Sequence, residues 1–204
     1  MAVRKILASL ILCAAALAPF GLRAVEVPAG PDIQVADTVA VAAVAVRQAA
    51  DTAAVAPALD PATEAIVRKY AARLGVSDSL IHNPVLYVII DEWMGAPYKY
   101  GGNTKKGTDC SGFVGQIMKH FTTSTLPRSA AEMAKTVTLK PAGELQEGDL
   151  VFFSYGKKPV GHVGIYLQNG WFVHASSYRG GGVILSNLHG STYSRRFCKC
   201  GSVQ

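Results

Sequence analysis

A single cysteine, Cys110, stands where a polar turn passes into a helical pattern. The turn ends in Asp109, a residue type that often caps helix N-termini, so Cys110 falls in the first helical turn. There, unpaired backbone N–H groups and the helix dipole favour a thiolate, the nucleophilic form of cysteine. The pattern therefore predicts a nucleophilic cysteine with a lowered pKa. A buried structural cysteine is the alternative, because free cysteine is among the most buried residue types.

Two histidines further along the chain, His162 and His174, are candidates for a base and for the group that orients it. A nucleophile, a base and an orienting third group are the parts that covalent catalysis by a hydrolase requires. Gly161 and Gly164 flank the first histidine and leave room for a substrate backbone. A hydrogen-bonded core histidine is the alternative for each of the two.

The segments 160–167 and 171–176 are predicted to form a β-hairpin around Gln168-Asn169-Gly170. Side chains alternate between the faces of a strand, so the loop length decides whether the two histidines meet. A two-residue loop pairs position 174 with 165 and turns the histidines to opposite faces. A three-residue loop, with Gly170 left-handed in a G1 bulge, pairs 174 with 164 and places both on one face. A catalytic role therefore predicts the three-residue loop.

The elements that position these residues can also be predicted. Asp60 as N-cap, Pro61 and Gly75 delimit a first helix, and Asn83-Pro84 and Gly95 delimit a second. The helix that begins at the cysteine should bury an apolar stripe formed by Val114, Ile117, Met118 and Phe121.

A short helix and a strand should follow the cysteine helix. Ser129 and Glu132 match the capping box and predict the start of the short helix. Arg128, just before it, is expected on the surface, with binding of a substrate carboxylate as the alternative. Gly148-Asp149 then turns the chain into a strand over 150–153, which is rich in large apolar residues.

Six ordered pieces of the chain match one known family: PYKYGG, TDCSGFV, LPRS, LQEGDLVFF, GHVGIYL and FVHASS. On these pieces, which lie within roughly residues 91–188, the chain resembles the NlpC/P60 cysteine peptidases. The resemblance implies an α+β papain-like domain, in which helices pack on an antiparallel sheet, and a substrate among the stem peptides of peptidoglycan. The spacing and the TKKG turn are most similar to the murein endopeptidases of Gram-negative envelopes.

The resemblance also implies roles for individual residues. By position, Cys110 is the nucleophile, His162 the base and His174 the third polar member of a triad. Tyr98 matches the tyrosine that lines the family's site. Its hydroxyl and the backbone N–H of the cysteine are the expected donors to the oxyanion.

Asp109 and Ser111 flank the nucleophile and are expected to contact the substrate, although capping alone accounts for Asp109. No metal or organic cofactor is expected, because the terminal pair Cys198 and Cys200 supplies only two ligands. That pair is predicted to be structural and to lie on a terminal strand. Removal of a leader would leave three cysteines, and an odd number in an exported protein indicates a free thiol.

Charge is unevenly distributed along the chain. Residues 25–96 have 4 Lys/Arg and 9 Asp/Glu, whereas residues 97–204 have 13 and 5. The basic second half suits a polyanionic partner. Nucleic acid is not indicated, because no basic stripe is interleaved with stacking aromatics and no nucleic-acid motif is present. Peptidoglycan, with its many free carboxylates, fits the charge.

Residues 1–24 have the layout of a secretory signal, with two basic residues before an apolar run that is too short to span a membrane. Cleavage is expected after Ala24, because Pro19 disfavours the alternative after Ala18. Lipidation at Cys13 is a second alternative, and it would attach the protein to a membrane. Residues 25–59, rich in Ala and Val and without an aromatic residue, predict a flexible tether.

The catalytic domain is expected over residues 60–204, with a helical lead-in over 60–95, in a monomer exported to the periplasm or cell envelope. Its predicted reaction is hydrolysis of an amide in a stem peptide or cross-link through a thioester. An amidase or acyltransferase with the same Cys–His pair is one alternative, and a catalytically idle wall-binding module is another. Two bonds remain candidates: D-glutamyl–diaminopimelate within a stem and D-alanyl–diaminopimelate between stems.

Overall fold

The computed structural model describes residues 59–156, 158–178 and 181–204. The predictions of a signal peptide, of lipidation at Cys13 and of nearly all of the tether lie outside the described residues. Within them, no helix has both the length and the apolar character needed to cross a membrane.

Five helices are described: α1 (Pro61–Leu74), α2 (Pro84–Trp93), α3 (Cys110–Met118), α4 (Ala130–Thr136) and α5 (Ser191–Ser194). The starts of α1 to α4 follow the predicted caps. The Asp60 side chain accepts hydrogen bonds from the amides of Ala62 and Thr63, at 3.0 and 3.1 Å. Gly75 ends α1 in the left-handed conformation, with φ of 69°. The two predicted lead-in helices are therefore confirmed.

The strands form two antiparallel sheets. A two-stranded ribbon pairs β1 (Asn103–Thr104) with β2 (Gly107–Thr108) just before the cysteine. The main sheet has the order β3-β8-β4-β5-β6-β7. Its strands are β3 (Thr138–Leu139), β4 (Leu150–Tyr155), β5 (Lys158–Tyr166), β6 (Trp171–Ser176), β7 (Gly182–Asn187) and β8 (Phe197–Ser202). The architecture is thus the α+β arrangement expected from the sequence.

Both faces of the main sheet are buried at β4, where Leu150 to Phe153 have no exposed surface. Alternate residues of the strand point to opposite faces. Leu150 and Phe152 join the large core shared with α1 to α4. The opposite face carries a smaller cluster made of Val151, Phe153, Phe172 and Cys200.

The apolar stripe of the cysteine helix is shorter than predicted. Val114, Ile117 and Met118 are buried, but Phe121 is 36% exposed and lies beyond the end of α3. Past Met118 the chain tightens into i→i+3 hydrogen bonds, such as Phe121 N to Met118 O at 2.9 Å. This tightening takes Phe121 off the buried face.

The loop between β5 and β6 holds the helical lead-in against the sheet. The Asn169 side chain donates to the carbonyl of Leu74 at the end of α1, at 2.9 Å, and the Gln168 side chain donates to the carbonyl of Leu80, also at 2.9 Å. Glu147 adds a second connection, because it accepts hydrogen bonds from the amide of Asn83 and from Gln168. The lead-in and the sheet therefore share polar contacts as well as a core.

Candidate active site

Cys110 is the first residue of α3, and Asp109 caps that helix as predicted. One carboxylate oxygen of Asp109 accepts from the amide of Gly112, and the other accepts from the amide of Gly101, both at 2.8 Å. The cap therefore joins the start of α3 to the loop before the β1–β2 ribbon. These bonds fix the position of the cysteine backbone.

Arg128 clamps this cap from a distant loop. Its guanidinium binds the Asp109 carboxylate in a two-pronged ion pair, at 2.7 and 3.0 Å, and also donates to the carbonyl of Gly102 at 2.7 Å. The Ser111 hydroxyl donates to the Arg128 carbonyl at 2.6 Å and accepts from the guanidinium at 2.8 Å. Bidentate guanidinium–carboxylate pairs combine strength with directional precision. Arg128 lies on the surface as predicted, with 46% of its side chain exposed, and it also positions the cap of the cysteine helix.

Asp109 and Ser111 lie behind the nucleophile rather than in front of it. Each is only 6% exposed, and neither lines the cleft onto which Cys110 opens. Burial tends to raise the pKa of Asp109, but the bonds from Arg128 and the backbone amides outweigh it and hold that pKa below its ordinary value. Their burial and their hydrogen bonds within the protein favour a supporting role, and the expected substrate contact of these two residues stays a prediction.

The two histidines lie side by side on neighbouring strands. Ile165 pairs with Val173 and Tyr166 with Phe172, a register that sets position 174 beside 164 as the three-residue loop requires. The Nε2 atom of His162 lies 2.8 Å from Nδ1 of His174.

The loop conformation differs in one detail from the prediction. Asn169 as well as Gly170 has positive φ, at 51° and 76°. Asparagine tolerates this region better than most residues.

The far side of His174 is held by two hydroxyls that the sequence motifs did not include. Its Nε2 atom lies 3.0 Å from the Ser186 hydroxyl and 3.2 Å from the Tyr193 hydroxyl. Ser186 could have been found from the pairing of β6 with β7, since Ile184 pairs with His174 and Ser186 lies two residues on, on the same face. Tyr193 follows from no local signal, because it comes from α5, the short helix between β7 and β8.

Burial governs the protonation of the site. It lowers the pKa of His162 to about 4 and lowers that of His174 as well, the latter with help from charge on His162. Burial also raises the pKa of the Cys110 thiol, which the backbone N–H groups of Val163 and Ser111 only partly offset. The predicted lowered pKa is therefore wrong. At neutral pH the cysteine rests as a thiol beside neutral imidazoles.

Cys110, His162 and His174 open onto one cleft of about 830 Å³, which Tyr98 and Gly161 also line. Burial, and then the nearby cysteine, raise the pKa of Tyr98, so its hydroxyl stays protonated and able to donate. Gly161 lies on the cleft, and its expected role of leaving space for a substrate stays a prediction. The second flanking glycine, Gly164, is instead buried against β6.

The terminal cysteines lie away from this cleft. Cys198 is exposed and Cys200 is buried on the predicted terminal strand, and both are free thiols. Among the described residues, no three His, Cys, Asp or Glu side chains are grouped as a metal site would require.

The fold and the cleft are those of a papain-like cysteine peptidase. The profile of the NlpC/P60 family matches residues 95–202, which is more than half of the chain. The chain therefore belongs to the NlpC/P60 family.

Two curated relatives from Escherichia coli K12 are similar to the same region. The probable endopeptidase NlpC is 41% identical over 123 residues, which is 60% of this chain and 79% of that protein. The murein DD-endopeptidase MepS/murein LD-carboxypeptidase is 41% identical over 106 residues, 52% of this chain and 55% of that protein. The chain thus spans just over half the length of this second relative.

A solved structure supports the same fold. An NlpC/P60 family protein from Bacillus cereus superposes with a TM-score of 0.52 at 29% identity, over 57% of this chain and 38% of that one.

Proposed function

We propose that this protein is a peptidoglycan endopeptidase that hydrolyses an amide bond in a murein stem peptide or cross-link. The observation that carries the proposal is the meeting of Cys110, His162 and His174 in one cleft, with the two imidazoles 2.8 Å apart. Relatives named as murein endopeptidases support the choice of substrate. Such a substrate lies outside the cytoplasm, so the proposal includes export to the periplasm or cell envelope.

The reaction begins from a neutral pair. As the Cys110 sulfur attacks the scissile carbonyl, His162 takes the thiol proton and becomes an imidazolium. The tetrahedral oxyanion is stabilised by the Cys110 backbone N–H and the Tyr98 hydroxyl. The imidazolium then protonates the leaving amine, the carbon–nitrogen bond breaks, and a thioester remains.

Water completes the cycle. His162 removes a proton from a water molecule, whose oxygen attacks the thioester carbonyl. The carbon–sulfur bond breaks, and the sulfur leaves with the proton that His162 returns. The product carboxylic acid then dissociates, and both side chains are back in their resting neutral forms.

His174 fixes the orientation and tautomer of the base. With Nδ1 of His162 facing the cysteine, its Nε2–H donates to Nδ1 of His174. His174 then carries its own proton on Nε2 and donates it to the hydroxyl of Ser186 or Tyr193. A neutral imidazole stabilises the imidazolium of His162 less strongly than a carboxylate would, so its main contribution is geometric.

The test is mass spectrometry of purified muropeptides after incubation with the protein. Uncross-linked and cross-linked substrates are compared, with Cys110→Ala as the inactive variant and Cys198→Ala as the matched control outside the cleft. Loss of cross-linked dimers to monomers indicates a cross-link endopeptidase, and shortened single stems indicate the bond within a stem. Whichever change is seen must be absent with Cys110→Ala and present with Cys198→Ala.

The alternatives are separated by the same experiment. An acyltransferase would join the acyl group to an added amine instead of to water, which gives a product of different mass. A wall-binding module would bind muropeptides without changing them. Unchanged substrates together with efficient binding would overturn the proposed hydrolysis.

A further inference from the structure

Among the described residues that line the cleft, only Arg196 carries a formal charge at neutral pH. The other lining side chains are neutral hydroxyls, the cysteine thiol, a glycine, an isoleucine and the two histidines. A guanidinium among described lining residues that are otherwise uncharged favours the entry of an anionic group.

The guanidinium is held in place by an aromatic ring that itself contacts the candidate base. Its central carbon lies 4.5 Å from the centre of the Tyr155 ring, a cation–π arrangement. The Tyr155 ring meets that of His162 edge-on, with 5.9 Å between centroids. Arg196 is therefore fixed close to the position where the scissile bond must lie.

The backbone around Arg196 is equally well fixed. Its carbonyl accepts from the amide of Ser154 at 2.8 Å, and its amide donates to the carbonyl of Tyr193 at 3.0 Å. On β4, the register shifts between Phe153 and Tyr155 against β5, and between Phe152 and Phe153 against β8. Bulges of this kind redirect side chains and are common beside active sites.

Arg196 has no ion pair with another described residue. The chain from Leu150 to its end contains six Lys/Arg and no Asp or Glu. No carboxylate side chain from these strands can therefore serve as its counterion. A guanidinium that lies over an aromatic ring still carries N–H donors in the fork geometry that a carboxylate accepts.

We infer that Arg196 binds a free carboxylate of the substrate next to the scissile amide, and that this contact makes the protein selective for acidic over amidated stem peptides. The inference rests on the proposed function and names the chemistry that the cleft selects. Stem peptides offer such a group on D-glutamyl, diaminopimelyl and terminal D-alanyl residues. Each can be converted into a neutral amide of nearly the same size.

The experiment measures kcat and KM on muropeptides with free carboxylates and on matched peptides in which one carboxylate at a time is amidated. Wild type is compared with Arg196→Gln, Arg196→Lys and the matched control Arg195→Gln. Arg195 and Arg196 are both exposed, but only Arg196 lines the cleft. Both glutamine substitutions remove one positive charge from the same turn of chain.

Arg196→Gln should raise KM about tenfold on the free-carboxylate substrate, because a charge-assisted bond is replaced by a neutral one. Amidation of the contacted carboxylate should cost the wild type about the same factor and should cost Arg196→Gln nothing further. The bound carboxylate is therefore the one whose amidation raises KM in wild type but not in Arg196→Gln. Arg196→Lys should recover part of the loss, and Arg195→Gln should match wild type.

An unchanged preference for acid over amide in Arg196→Gln would overturn the inference, as would an equal loss in Arg195→Gln. Failure of the wild type to cleave any muropeptide would instead contradict the proposed function. The inference is then still tested by calorimetric binding of the same acidic and amidated peptides to Cys110→Ala, with and without Arg196→Gln. Equal affinity for acid and amide in Cys110→Ala with Arg196 intact would refute it, whereas equal affinity is the expected result once Arg196→Gln is added.

Discussion

The rate at which Cys110 is alkylated, followed from pH 5 to pH 9, tests the neutral resting pair directly. Burial raises the pKa of this thiol above its ordinary value. A thiol with an ordinary pKa of about 8.5 is roughly 3% thiolate at pH 7, so Cys110 must contain less. Only the thiolate reacts with iodoacetamide, so the rate should rise about tenfold for each pH unit and show no plateau below pH 8.

A preformed thiolate–imidazolium pair would behave differently. Its thiolate would already be complete at pH 5, and the alkylation rate would be flat across the range. Substitution of His162 separates the two cases further. In the neutral pair, His162→Gln leaves the shape of the profile unchanged, whereas in an ion pair it removes most of the reactivity at neutral pH.

The assay needs to distinguish Cys110 from the other thiols. Cys198 is exposed and will also react, whereas Cys200 is only 2% exposed. Mass spectrometry of the digested protein assigns each modification, and Cys198→Ser removes the competing signal without touching the cleft. A pH-independent rate at Cys110 between pH 5 and pH 8 would refute the neutral pair.

Three further predictions follow from packing and charge. Gly164→Ala should destabilise the fold by about 1–3 kcal/mol in urea titrations and should impair turnover, because the added methyl would lie 2.9 Å from the carbonyl oxygen of residue 173. The control variant Gly161→Ala should be tolerated, because its methyl would meet nothing closer than 3.4 Å. Arg128→Gln should cost about 2 kcal/mol of unfolding free energy at pH 7, because it leaves the buried Asp109 carboxylate without its partner. The unfolding free energy should also fall by about 3 kcal/mol at most as pH drops from about 6.5 to about 4, because the unfolded chain protonates His162 more readily than the folded chain does.

Each of these predictions has a contrary result. Equal stability of the two glycine variants would show that β5 and β6 have room between them. In the second case, adding Asp109→Asn to Arg128→Gln should recover part of the lost stability, and no recovery would contradict the pairing. In the third, His162→Gln should reduce the fall of unfolding free energy with decreasing pH. An unchanged fall would assign the pH dependence to other groups.

The helix ends and the hairpin register could be predicted because each depends on local chemistry. Asp60 and Gly75 cap α1 through their own backbone and side-chain preferences. The loop register followed from the alternation of side chains on a strand and from the requirement that His162 and His174 meet. Short-range rules of this kind need no knowledge of what lies across the fold.

The clamp on Asp109 and the Tyr193 hydroxyl beside His174 could not be predicted, because they join distant parts of the chain. Arg128 reaches across 19 positions to the cap of the cysteine helix. Tyr193 comes from α5, the short helix between β7 and β8. No local periodicity encodes such contacts.

The pKa of Cys110 was mispredicted for a related physical reason. A helix N-terminus favours the thiolate, but no local pattern indicates how deeply the packed domain buries the sulfur. Desolvation proves to be the larger effect. The depth of burial is a property of the whole fold, so the sign of the shift had to come from the structure.

The contacts of the β5–β6 loop with the lead-in helices bear on the order in which the protein folds. The bonds from Asn169 to Leu74 and from Gln168 to Leu80 close loops of 95 and 88 residues. Long-range contacts of this kind form late, because the entropy of loop closure must be overcome before they can stabilise anything. We therefore expect the loop that sets the register of the two histidines to reach its final position only after the chain has been synthesised to the end of β6. A segment limited to the family-matched residues 95–202 lacks both carbonyl partners, so we expect that assembly of the cleft also needs the helices that begin near Asp60.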